Sequence, residues 1–116
     1  MKRKSRKQFL KKKKEFRYHN VVTIDKRGKK LKIRHPTYVF LEKGNIFIYV
    51  SITHSKGIEG ELFIKLRKNP NPKDRRDSYR IATIREDRKD TFGRRQNKWI
   101  MDSEDDKEIR ELYKKR

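Results

Sequence analysis

Two histidines stand beside side chains that can hold negative charge, in Arg34-His35-Pro36-Thr37 and in Thr53-His54-Ser55. An unperturbed imidazole titrates near neutrality, so His35 and His54 can both take and give a proton at physiological pH. Thr53, Ser55 and Arg34 can donate to an oxygen that gains charge. These are the parts a metal-free cleavage of an RNA phosphodiester needs: a base for the 2′-hydroxyl, an acid for the leaving 5′-oxygen, and donors for the charge developing at phosphorus. Each residue also has a structural reading. His35 before a proline fits the start of a strand, Thr53 is a favoured strand residue, and His54 suits an ordinary loop.

Other chemistries find less support. The chain has no Walker loop, no G-x-S-x-G and no His-Glu-x-x-His, and it contains no cysteine, which removes a thiol nucleophile, a disulfide framework and a Cys-based zinc site. Glu86, Asp87 and Asp90 are interleaved with Arg85, Arg88 and Lys89, the pattern of a screened surface rather than of a cation site. The acids between Asp102 and Asp106 suit a helix N-terminus. No metal or other cofactor is expected.

Charge points to the partner. The net charge is +20 on 116 residues, and residues 1–35 hold 16 basic against 2 acidic side chains. Ten of the first seventeen residues are basic: Lys2, Arg3, Lys4, Arg6, Lys7, Lys11, Lys12, Lys13, Lys14 and Arg17. A second basic group follows in Lys26, Arg27, Lys29, Lys30 and Lys32. Such a field attracts phosphate backbones, and each cation that neutralises a phosphate releases condensed counterions. An anionic membrane is the rival partner, but Phe9, Leu10 and Phe16 are too few apolar anchors for an amphipathic membrane helix. Nucleic acid is therefore the expected partner. No apolar run approaches a membrane span and the basic N-terminus is not followed by a secretory apolar stretch, so a cytoplasmic location is expected.

The elements that would position these residues are mostly strands. Residues 1–17 read as a basic arm, and 18–116 as one small β-rich domain with a modest core, since only 31% of the chain is hydrophobic. Val21 to Ile24 reads as a first strand, Asp25-Lys26-Arg27-Gly28 as a turn, and Lys29 to Arg34 as the returning strand of a basic hairpin. Pro36 is expected to break that ladder before a buried strand, Thr37 to Leu41. Glu42-Lys43-Gly44-Asn45 is a tight turn. The strongest strand is Ile46 to Thr53, with Ile46, Ile48, Val50 and Ile52 on one face and Phe47, Tyr49, Ser51 and Thr53 on the other. Glu61 to Leu66 and Ser78 to Ile84 are further strands, with a proline-rich surface stretch between them and a charged loop over Arg85 to Arg95. Trp99, Ile100 and Met101 return apolar surface to the core. A C-terminal helix over 103–115 starts at Asp102 or Ser103, with a Ser103 to Asp106 capping box and basic residues in its last turn. The fold class is mainly β: a small, strongly bent antiparallel sheet or barrel with a C-terminal helix and a basic N-terminal arm.

The run Arg34-His35-Pro36-Thr37-Tyr38-Val39-Phe40, followed by a turn, a buried strand and Ile52-Thr53-His54-Ser55, resembles the central part of the MazF/PemK-like toxins over residues 21–66. The resemblance implies a CcdB/PemK-like barrel, metal-independent endoribonuclease activity, a homodimer and an acidic antitoxin partner. The family's threonine falls on Thr53 and its arginine on His35, with Arg34 one residue earlier. That departure matters, because a neutral histidine supplies no fixed charge at phosphorus. Two function classes thus fit the sequence. One is a metal-independent endoribonuclease using His35, Thr53, Arg34 and His54. The other is a non-catalytic RNA- or DNA-binding protein of a ribonucleoprotein or mobile element, with RNA favoured over DNA, in which exposed aromatics such as Tyr18 and Tyr79 stack on unpaired bases.

Overall fold

The computed structural model describes residues 9–54 and 62–115. Among them the chain forms seven strands and one α-helix: β1 (Lys11–Ile24), β2 (Lys30–Lys43), β3 (Ile46–Thr53), β4 (Phe63–Lys65), β5 (Tyr79–Ile81), β6 (Arg85–Arg88), β7 (Phe92–Arg95) and α1 (Ser103–Lys114), with a 3₁₀ turn at Lys89–Thr91. All pairings are antiparallel. The sheet runs β4-β5-β3-β2-β1-β7, and β6 lies beside the first half of β3.

The β1–β2 hairpin turns at Asp25, whose Oδ1 accepts from the N–H groups of Arg27 and Lys29, both at 2.9 Å. Gly28 takes φ +79° there, a conformation open to glycine. Gly44, at φ +57°, makes the β2–β3 turn. In β3 the even residues Ile48, Val50 and Ile52 are buried in a cluster with Phe16, Tyr38, Phe40, Leu66, Met101 and Ile109. Helix α1 lies over this face, with the Tyr113 ring edge-on to Phe40. The odd residues of β3 face the other way, where Phe47 and Tyr49 pack with Val39 and Phe92.

The bend of the sheet follows from one short link. Strands β6 and β7 flank β3 and β1 respectively, which in a flat sheet would place them roughly 19 Å apart at ~4.8 Å per strand. Arg88 and Phe92 are joined by only the 3₁₀ turn, a link that spans at most about 14 Å even when extended. The sheet must therefore curl over its odd-numbered face. It does not close: no ladder joins β6 to β7 among the described residues.

Several expectations are corrected. Residues 11–17 are not arm but the first half of β1, because Phe16 docks in the core at 1% exposure while its lysine neighbours need only their backbones to join the ladder. Pro36 does not break the hairpin; it pairs with Tyr18, one position beyond the last β2–β3 pair, Thr37↔Ser51, where β2 loses one flanking strand and a missing N–H matters least. The charged stretch 85–95 forms β6 and β7 rather than a loop. Of Trp99, Ile100 and Met101, Met101 is buried and Trp99 packs against the core beside Phe16, but Ile100 is 75% exposed. Asp102 is the N-cap, its Oδ1 accepting from Glu104 and Asp105 N–H. Asp106 does not complete a capping box, because its carboxylate is taken by Tyr38 and Arg110.

Arg110 holds the inner hairpin to the helix. The ladders shift register between Lys12 and Glu15 and between Val39 and Leu41, and such bulges strand backbone carbonyls. The Arg110 guanidinium donates to two carbonyls at those irregularities, Phe40 O at 2.7 Å and Lys13 O at 2.6 Å.

Candidate nucleic-acid interface and histidine cleft

The outer half of the hairpin leaves the sheet. Strand β7 pairs with β1 only at Arg17 and His19, and β3 pairs with β2 from Thr37 onward. The five pairs from Asn20↔Arg34 to Ile24↔Lys30 thus form a two-stranded ribbon with no third strand among the described residues, about 17 Å long at ~3.4 Å per residue. Lys26, Arg27, Lys29, Lys30, Lys32 and Arg34 are all exposed on it. Residues directly opposite share a face, so Val21, Thr23, Leu31 and Ile33 line one side, while Val22 and Ile24 share the other with Asn20, Lys30, Lys32 and Arg34.

The cations of β1 divide. Lys11, Lys12 and Lys14 are exposed. Lys13 bridges Glu42 at 3.1 Å and Glu15 at 3.5 Å, and these carboxylates, Glu42 foremost, hold its ammonium above the usual lysine range. Arg17 binds Glu15 at 2.9 Å and donates to the Gly93 carbonyl, with its guanidinium over the Phe47 ring. Lys13 and Arg17 are therefore structural. Lys2, Arg3, Lys4, Arg6 and Lys7 lie outside the described residues, as does Ser55. Glu42 also contacts Lys89, and this pairing, with that to Lys13, lowers the Glu42 carboxyl below the usual carboxylate value.

At the root of the ribbon, on the odd-numbered face, a cleft of about 360 Å³ opens between β1, β2, β3 and β6. His19 and His35 are cross-strand partners and both line it, with Tyr49, Ser51, Arg85 and Asp87. The hydrogen bonds assign the His19 tautomer. Thr91 Oγ1 donates to the Arg88 carbonyl at 2.7 Å, so it must accept from His19 Nε2–H at 3.0 Å. Nδ1 then keeps its lone pair and faces the Tyr49 hydroxyl at 3.4 Å. That hydroxyl is committed elsewhere, donating to Asp87 Oδ2 at 2.5 Å. The His19 ring is stacked on Phe92, centroids 4.4 Å apart. Burial pushes its pKa below the ordinary histidine value, and His35 adds to this, while Asp87 opposes it. Burial and the bond to Asp87 push the Tyr49 hydroxyl well above the usual tyrosine range, so it remains a donor at neutral pH.

The four residues of the expected catalytic set do not converge. His35 and Thr53 belong to the same face; continuing the Thr37↔Ser51 register by two residues sets them opposite one another. Arg34 lies on the other face, its guanidinium 4.9 Å from the Tyr18 ring centroid, because successive strand residues alternate. His54 follows β3 as an exposed bend residue and does not line the cleft. Tyr18 is covered by Arg34 and by the edge of Trp99, and Tyr79 is half-buried opposite Thr53. Sequence reasoning missed His19, Tyr49 and Asp87 as a group. The one available signal was parity, since Phe47, Tyr49, Ser51 and Thr53 were already on one face.

Among the described residues no group of histidines and carboxylates could hold a metal ion, and no helix is long and apolar enough to cross a membrane. Comparisons of the chain with protein-family models, with curated proteins and with solved structures found no match.

Proposed function

We propose that this protein binds nucleic acid, single-stranded RNA in preference to DNA, with the basic ribbon as its principal contact. The ribbon carries the reading: it presents six cations against one acid, Asp25, on a projection flanked by no other strand among the described residues. Self-repulsion on such a projection is relieved when phosphates lie along it. Lys11, Lys12 and Lys14 extend the same field onto the sheet. RNA is favoured because a cleft at the ribbon root has room for an unpaired nucleotide, and splayed single-strand bases are the usual target of sequence-reading RNA binders. The test is affinity for a single-stranded RNA over a salt series. Replacing Lys26, Arg27, Lys29, Lys30 and Lys32 by Gln should lower the slope of log affinity against log salt by about 3.5, roughly 0.7 per lost contact on a single strand, and weaken binding about 10³-fold at 0.15 M salt. An unchanged slope would refute the ribbon's role.

A second reading, metal-independent endoribonuclease activity, is favoured by the paired histidines of the cleft. In that reaction the 2′-oxygen attacks phosphorus, the bond to the 5′-oxygen breaks, and one proton passes from the 2′-hydroxyl to a base while another passes from an acid to the leaving oxygen. The products are a 2′,3′-cyclic phosphate and a 5′-hydroxyl. His19, through its unprotonated Nδ1, suits the base, and His35 the acid. Incubation of RNA in EDTA with wild type, His35→Ala and Thr53→Ala separates the two readings: cleavage abolished by His35→Ala with binding retained supports the enzyme, and intact but shifted RNA supports binding alone.

A further inference from the structure

We propose that the cleft at the ribbon root is a pocket for one unpaired guanine of the bound RNA, read by Asp87 and Arg85. This rests on the RNA-binding reading above. Asp87 and Arg85 are two residues apart on β6 and side by side on one face, about 7 Å apart along the strand at ~3.3 Å per residue. Both line the cleft. The Asp87 side chain is 43% exposed; its Oδ2 accepts a hydrogen bond from the Tyr49 hydroxyl, and no hydrogen bond to Oδ1 from a described residue stands against its use. A carboxylate accepts only, and a guanidinium donates only. Along β6 the cleft wall therefore offers a pair of acceptors followed by donors.

Among the four bases this order fits guanine. Its Watson–Crick edge presents two adjacent donors, the 2-amino group and N1–H, and then the O6 acceptor. Adenine and cytosine offer one exocyclic amine next to a ring acceptor, which would meet the carboxylate with its lone pair. Uracil offers a single donor between two carbonyls. Tyr49 holds the carboxylate in place through its short hydrogen bond, so the acceptor pair is oriented before a base arrives. Val21 and Ile81 provide apolar wall, and His35, cross-strand to His19 and lining the cleft, offers a ring face for stacking.

The test is fluorescence anisotropy with nine-residue oligouridylates carrying guanosine, inosine or adenosine at the centre, using the whole chain. Wild type should bind the guanosine oligomer about 10- to 100-fold more tightly than the adenosine oligomer, the range for one good bidentate contact. Inosine, which lacks the 2-amino group, should fall between. Asp87→Asn should erase the preference for the guanosine over the adenosine oligomer. Tyr49→Phe, which removes the hydroxyl but keeps the carboxylate, should retain most of it; equal loss in both variants would show that Asp87 acts only by supporting the cleft and would overturn the proposal. Equal binding of guanosine and adenosine oligomers by wild type would overturn it while leaving RNA binding intact. Failure to bind any oligomer would overturn the RNA reading itself.

Discussion

The inner and outer halves of the β1–β2 hairpin share the same two strands and one lysine-rich composition, but they do different physical work. In the inner half Phe16, Tyr38, Val39 and Phe40 are almost fully buried, helix α1 covers one face, and Arg110 binds backbone carbonyls of both strands. In the outer half Val22 and Ile24 are 60% and 65% exposed, and no strand among the described residues flanks the pair. A β-branched residue left in water adds strand propensity but little burial, so the outer half keeps its shape from the turn at Asp25 and Gly28 and from its continuity with the inner half. The fold would lose little core without it. The cations of the ribbon are therefore not held in place by packing of the core.

Alanine at matched depths breaks the comparison most directly. Phe16→Ala should cost about 3–5 kcal/mol of unfolding free energy, as for a fully buried aromatic, and Val22→Ala should stay within ~0.5 kcal/mol. Urea unfolding of both variants measures it. A large loss at Val22 would mean that the ribbon packs on something and is not a free projection.

The inner half was partly legible and the outer half largely so, for opposite reasons. Alternation in Ile46 to Thr53 declares both faces of β3, because each apolar residue there has a buried site to fill. The turn residues Asp25, Gly28 and Gly44 declare both hairpins, because few other residues suit those backbones. Lys11 to Lys14 and Arg85 to Arg88 gave no sign of being strands: at a sheet edge the backbone supplies the pairing and the side chains can be charged. The histidine cleft was hidden for a related reason. His19 sits 16 residues from His35 in sequence, and only the hairpin register makes them neighbours; Asp87 arrives from a strand that looked like a loop. Arg34 looked like a partner of His35 because the two are adjacent, which in a strand places them on opposite faces.

A smaller effect should come from Arg110, which ties the helix to the inner half alone. Arg110→Ala leaves the Phe40 and Lys13 carbonyls without this donor and the Asp106 carboxylate with the Tyr38 hydroxyl alone, at a cost of roughly 2–4 kcal/mol. Arg110→Lys should recover only part, since one ammonium cannot reach both carbonyls and the carboxylate in a fixed fork. RNA affinity, extrapolated to conditions where both variants are folded, should not change. A parallel loss of affinity would join the two halves that the structure separates.

The smallest effect is expected at the boundary, where the inner half ends and His19 lies between Tyr49 of β3, Asp87 of β6, Thr91 of the 3₁₀ turn, Phe92 of β7 and His35 of β2. Burial lowers the folded pKa of His19, with His35 acting in the same direction and Asp87 against it. The unfolded chain, titrating near 6.5, then takes up the proton first. Stability from this group is full above about pH 6.5 and is lost as the pH falls from there through the lower folded value. The carboxylates held low by salt bridges, Glu42 and Glu108, lose their contribution only further into acid, so the window between pH 7 and 5 belongs to histidine. Melting temperatures of wild type should therefore fall across that window more than those of His19→Gln, which keeps a side chain able to donate to Thr91 but does not titrate. Equal slopes would mean that protonated His19 is accommodated as an ion pair with Asp87, 3.7 Å away, and that the ring is a proton acceptor the fold tolerates in either state.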